Sequence, residues 1–157
     1  MTSHRSAQEI QERADARLSE ALAVRSARDP REFYRERLRE LRDQSADAYG
    51  QAVSYYRETL LPSIADGSAE PVAAWTEYGR QLAELLSPGR TVALDDSGRA
   101  SPYEAPANPD VLVLHLPSDQ RRRALVVALP AELSTAQRAA YDWLVVGRNA
   151  IPDKETS

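Results

Sequence analysis

The sequence predicts an α+β chain: an N-terminal helical hairpin or three-helix unit, then a small antiparallel sheet closed by a C-terminal helix. Three observations predict it. Apolar residues recur at spacings of three and four from Ser6 to Ser87, the period of helices that bury one face. Two continuous apolar runs, 110–116 and 123–129, then appear, separated by a polar loop too short for a crossover helix, so they pair antiparallel. Finally, Ser134 and Gln137 stand at capping-box spacing before another helical stripe.

The first helix starts at a capping box, Ser6 with Glu9, and runs to about Arg28. Its stripe, Ile10, Ala14, Leu18, Ala21 and Leu22, is rich in small residues and offers little area. Asp29-Pro30 breaks the chain. Asp29 is placed as an N-cap, Pro30 falls at the first helical position where a missing N–H costs nothing, and Glu32 completes the signal. One long amphipathic helix is expected from there to Ser63, ended by Pro62, with apolar or small residues Tyr34, Leu38, Leu41, Ser45, Ala48, Ala52, Tyr55, Tyr56 and Leu60 on its stripe. Tyr49, Val53 and Tyr56 keep an i, i+4, i+7 spacing offset from that stripe, which gives the helix two apolar faces to cover. The segment Arg35 to Arg42 alternates in sign, the pattern of a solvated face.

Ala65 to Ser68 reads as a turn. A third helix follows to Leu86, with Pro71 in its first turn and the strongest stripe of the chain: Val72, Trp75, Tyr78, Leu82, Leu85 and Leu86. The short connection makes it the antiparallel partner of the long helix. Arg90–Leu94 reads as a strand and Asp95 to Gly98 as a tight turn. Residues 99–109 hold three prolines and read as a loop, with Tyr103 placed to pin it to the body. The closing helix carries Ala136, Ala139, Ala140, Trp143 and Leu144 on one face and ends near Gly147. The chain is a single domain over 1–157: a helical part over 6–87, sheet plus closing helix over 90–147, and a flexible tail over 148–157.

Composition excludes several classes. The chain has no cysteine, so disulfides, thiolate metal sites and a cysteine nucleophile are absent. Its 2 histidines, His4 and His115, cannot make a multi-histidine metal centre. The 6 glycines stand at least nine residues apart, so no glycine-rich phosphate loop or nucleophile elbow exists. A net charge of −4 runs against a free nucleic-acid binder. No apolar run reaches membrane length and no signal sequence is visible, so the expected location is cytoplasmic. Lys154 is the one lysine among 20 basic residues, the bias of a GC-rich bacterial coding sequence.

No cofactor, metal or catalytic residue is assigned from these patterns. The reading is a non-catalytic protein–protein interaction or assembly protein, working through its N-terminal helices on a protein partner or on itself as a homo-oligomer. Tyr49, Val53, Tyr56, Ile10 and Leu18 are its candidate interface residues. The alternative is a small enzyme or ligand-binding module with a pocket near His115 and the 95–99 turn, formed by His115, Asp95, Asp96 and Arg122. Against this stands the ordinary role of a strand histidine, bonded to its neighbours. Arg121-Arg122-Arg123 could grip a phosphate or an acidic partner, or simply form a solvated loop.

Overall fold

A computed structural model describes residues 6–104 and 108–147; the expected tail over 148–157 lies outside them. Helices α1 (Ala7–Arg25), α2 (Tyr34–Gln44), α3 (Ala46–Tyr55), α4 (Leu61–Ala65) and α5 (Pro71–Leu86) precede a sheet of β1 (Gly89–Leu94), β2 (Ala100–Pro102), β3 (Leu112–Pro117) and β4 (Leu125–Ala128), and α6 (Thr135–Tyr141) closes the chain. This is the α+β architecture expected.

Helix α1 begins at the foreseen box, with Ser6 accepting from the Glu9 N–H and Glu9 reaching back to the Ser6 N–H. It ends at Ser26, whose left-handed φ of 52° reverses the chain. Its thin stripe is covered from within the chain: α1 packs on α4 and α5, and Ala14 and Leu18 are buried there.

The expected long helix does not exist as one rod. Asp29 does act as a cap, accepting from the Arg31 N–H at 2.8 Å, but over a 3₁₀ turn, Pro30–Phe33, that leads into α2. The rod then breaks at Ser45, which is extended (φ −156°, ψ 109°) and accepts the Ala48 N–H at 3.2 Å. Serine competes for backbone donors in this way, so a residue tolerated inside a helix becomes the cap of the next one. Nor does Pro62 end the helical run. A wide π turn, Tyr56–Leu60, precedes it, with the Leu61 N–H bonding to Tyr56 O, and the chain stays helical through α4. Widening the turn makes room for a pyrrolidine ring that would otherwise meet a carbonyl of the preceding turn.

Helix α5 starts at a cap the sequence reading passed over. The Glu70 carboxylate accepts from the N–H groups of Val72 and Ala73. The sheet is antiparallel throughout, in the order β2-β1-β3-β4. β3 is buried on both faces, as its continuous apolar run implies. Val113 and Val127 meet Ala83 of α5 on one side. Val92, Leu94, Leu112, Leu114 and Val126 meet Ala140, Tyr141 and Leu144 on the other. Strand β2, read from sequence as loop, is a three-residue exposed edge that ends in Pro102, too short to show any alternation. Tyr103 does pin it, its N–H donating to Thr91 O and its ring packing on the α5–sheet seam.

At the start of β1 the backbones approach so closely that a Cβ on Gly89 would collide with the Leu116 carbonyl. At the far end of the sheet, the buried Gln137 completes the Ser134 capping box and donates to Leu94 O and Asp110 O. One side chain thus caps α6 and ties it to the sheet.

Candidate functional site

Five aromatic rings hold the helical layer together. Tyr34 stacks on Tyr56 (centroids 6.0 Å apart), Tyr55 stacks on Tyr78 (5.8 Å), and Trp75 meets Tyr34, Tyr56 and Tyr78 edge-on. The Tyr78 hydroxyl donates to Ala52 O at 3.0 Å and the Tyr56 hydroxyl to Gln11 at 3.0 Å, so polar ends of buried rings are paired. Burial pushes the Tyr56 phenol up to about 12 and raises Tyr78 as well.

The candidate interface residues fall on both sides of this cluster. Leu18 is 0 % exposed, so its place in an interface is corrected: its own chain covers it completely. Ile10, Tyr49 and Tyr56 are half-buried against the same core, and Val53 is half-buried on α3. A cleft of about 370 Å³ lies open between α3 and α5, lined by Ala52, Tyr55, Tyr78 and Leu82, with Gln51 and Glu84 among its polar neighbours. Leu85, 43 % exposed, stands in its wall. Sequence reasoning placed Leu85 in the core stripe of α5. The break at Ser45 sets where α3 lies, and hence what Leu85 is left facing.

The other candidate group is not drawn together. His115 pairs across the sheet with Thr91, four residues before Asp95, a separation of roughly 13 Å along a strand. The His115 ring is 0 % exposed, with Nε2 2.6 Å from Ser87 O and Nδ1 3.1 Å from Thr91 Oγ1. A carbonyl only accepts, so Nε2 carries a hydrogen, and in that tautomer Nδ1 accepts from the threonine hydroxyl. Arg122 does lie near it in function: its Nη1 donates to Leu86 O at 3.1 Å, so the two basic groups hold consecutive carbonyls at the end of α5. Asp95 folds its own turn instead, accepting from Ser97 Oγ, Ser97 N and Arg99 N, bonds that hold its carboxyl below the usual range with the Ser97 hydroxyl foremost. Asp96 contributes its carbonyl, which accepts from Ser134 Oγ. Among the described residues no group of three or more His, Asp or Glu is placed to hold a metal ion.

Comparison with models of protein families, with curated proteins and with solved structures finds no match. Function therefore rests on the surface itself. No helix among the described residues is long and apolar enough to cross a membrane.

Trp143 departs from its expected place on the apolar face of the closing helix. The helix widens into a π turn at Asp142–Val146, with the Gly147 N–H bonding to Asp142 O. The extra residue per turn rotates the face. Tyr141, Leu144 and Val145 pack on the sheet, while Trp143 is 39 % exposed.

Proposed function

We propose that the protein is a non-catalytic assembly protein that pairs with a second copy of itself through the surface shared by α3 and α5. The observation that carries this reading is the exposed Leu85 side chain set beside an apolar cleft on the same face. A two-fold interface needs a surface complementary to itself, and a knob next to a hole meets that need: Leu85 of each copy enters the cleft of the other. Tyr55 extends the apolar area, and aromatic anchors within an apolar centre are what such interfaces favour. A bacterial source and cytoplasmic placement belong to the same proposal, the first resting on the lysine-poor composition and the second on the lack of an apolar run of membrane length.

Sedimentation of the full chain over a range of concentrations tests it. The wild type is expected to dimerise with rising concentration, and Leu85→Asp to remain a monomer with an unchanged melting temperature. A wild type that stays monomeric throughout, or a Leu85→Asp variant that dimerises equally well, would remove the proposal.

A further inference from the structure

The connection between β3 and β4 carries Arg121, Arg122 and Arg123, and the structure gives each a different task. Arg122 turns inward to Leu86 O. Arg121, its side chain 90 % exposed, lies over Asp119 with Nε 3.2 Å from Oδ1. Arg123 lies along the end of the closing helix. A Cβ on Gly147 would stand 3.0 Å from its Nε and 3.2 Å from its Cζ, and Gly147 itself has φ +122°. The positive φ favours a glycine there, and its bare backbone is the bed on which the guanidinium rests. Among the described residues Arg123 has neither an ion-pair partner nor a side-chain hydrogen bond.

These arginines open onto a concavity of about 730 Å³ whose wall includes the exposed Trp143 and Gln120. That volume falls within the range of small-ligand sites, roughly 300–1,000 Å³. The spacing of wall and arginines is set by backbone, because the Ala124 N–H donates to Leu144 O at 2.9 Å and so joins the loop to the helix that carries Trp143. None of the residues around this concavity lines the α3–α5 cleft.

We propose that this concavity binds a small phosphorylated ligand bearing a planar ring, of the nucleotide type. The phosphate lies on Arg121 and Arg123, and the ring lies against the indole of Trp143. Guanidinium forks match phosphate oxygens in pairs, and an indole stacks on a base whatever its identity. The Asp119–Arg121 contact is an exposed surface pair, weak enough for an incoming dianion to displace. An acidic peptide would use the arginines alone, whereas a ring-bearing anion also uses the exposed part of the Trp143 indole. The site is made of side chains, which is why a search for glycine-rich phosphate loops does not reveal it.

Tryptophan fluorescence of the full chain provides the test. Trp75 is 2 % exposed and Trp143 39 %, so quenching by an added ligand reports Trp143. Titrations with ATP, ADP and AMP are compared with adenosine, inorganic tripolyphosphate and a poly-glutamate peptide, and calorimetry gives the affinities. The nucleotides are expected to quench and to bind more tightly than tripolyphosphate or adenosine alone, with Trp143→Phe abolishing the quench. Arg123→Gln and Arg121→Gln are each expected to weaken binding about tenfold or more, the usual cost of a lost charged hydrogen bond. Tripolyphosphate binding as tightly as ATP, poly-glutamate binding in place of nucleotides, an Arg123→Gln variant of unchanged affinity, or no binding by any titrant would each overturn the proposal.

Discussion

At the scale of single residues, His115 shows how a chemically versatile side chain is committed to structure. Its ring holds Ser87 O and the Thr91 hydroxyl in a place with 0 % exposure, joining the end of α5 to the middle of the sheet. Replacing it by alanine removes a packed ring and leaves a buried carbonyl and a half-buried hydroxyl without their partner, so His115→Ala should cost about 3 kcal/mol in urea unfolding. A loss below about 1 kcal/mol would mean that these bonds contribute little. Arg37 makes a second case. It is 8 % exposed, lies 5.4 Å from the Phe33 ring centre, and its Nε has no partner, so burial lowers its affinity for the proton. Neither environment is legible from sequence. Position 115 stood out as a histidine within an apolar run, but Ser87 lies 28 residues away and no local pattern links the two.

At the scale of elements, local signals and tertiary packing divide cleanly at Ser45. The heptad-like stripe from Tyr34 to Leu60 contains nothing that forbids a continuous helix, yet Ser45 caps α3 and splits it from α2. The two possibilities predict opposite signs for one substitution. Inside a helix, Ser45→Ala would stabilise by about 0.5 kcal/mol through propensity. At an N-cap it should destabilise by about 1 kcal/mol, because the Ala48 N–H loses its acceptor. Thermal or denaturant unfolding distinguishes them, and a gain in stability would show the break to be unimportant. The capping boxes at Ser6 and Ser134, in contrast, were readable in full, because each is closed within four residues. The π turns before Pro62 and after Tyr141 were not: a proline reads as a stop even where a widened turn accommodates its ring, and the turn after Tyr141 sets which face meets the sheet.

At the scale of the whole molecule, the aromatic cluster makes stability depend on alkaline pH. Tyr56 has a folded-state value of about 12, above the unfolded phenol value near 10, and Tyr78 is raised in the same direction. The unfolded chain therefore loses these protons first. Stability is full below about pH 10 and falls as pH rises from there through the folded-state values. Because the rings join α2, α3 and α5, the helical layer should loosen as one unit. Unfolding midpoints measured across this pH range should drop, and Tyr56→Phe should shallow the slope. An equal slope in that variant would assign the effect to other groups.

Sequence alone determined the class of fold, the caps of the first and last helices, the two central strands and their antiparallel pairing. All are encoded in periodicity and in contacts between near neighbours, and both survive any arrangement of the rest. Only the tertiary structure decided that the second helix is broken, that Leu18 is hidden while Leu85 and Trp143 are not, and that His115 stands apart from Asp95. Those outcomes depend on which surfaces meet across tens of residues, and a surface is buried or open only after its partner has been placed.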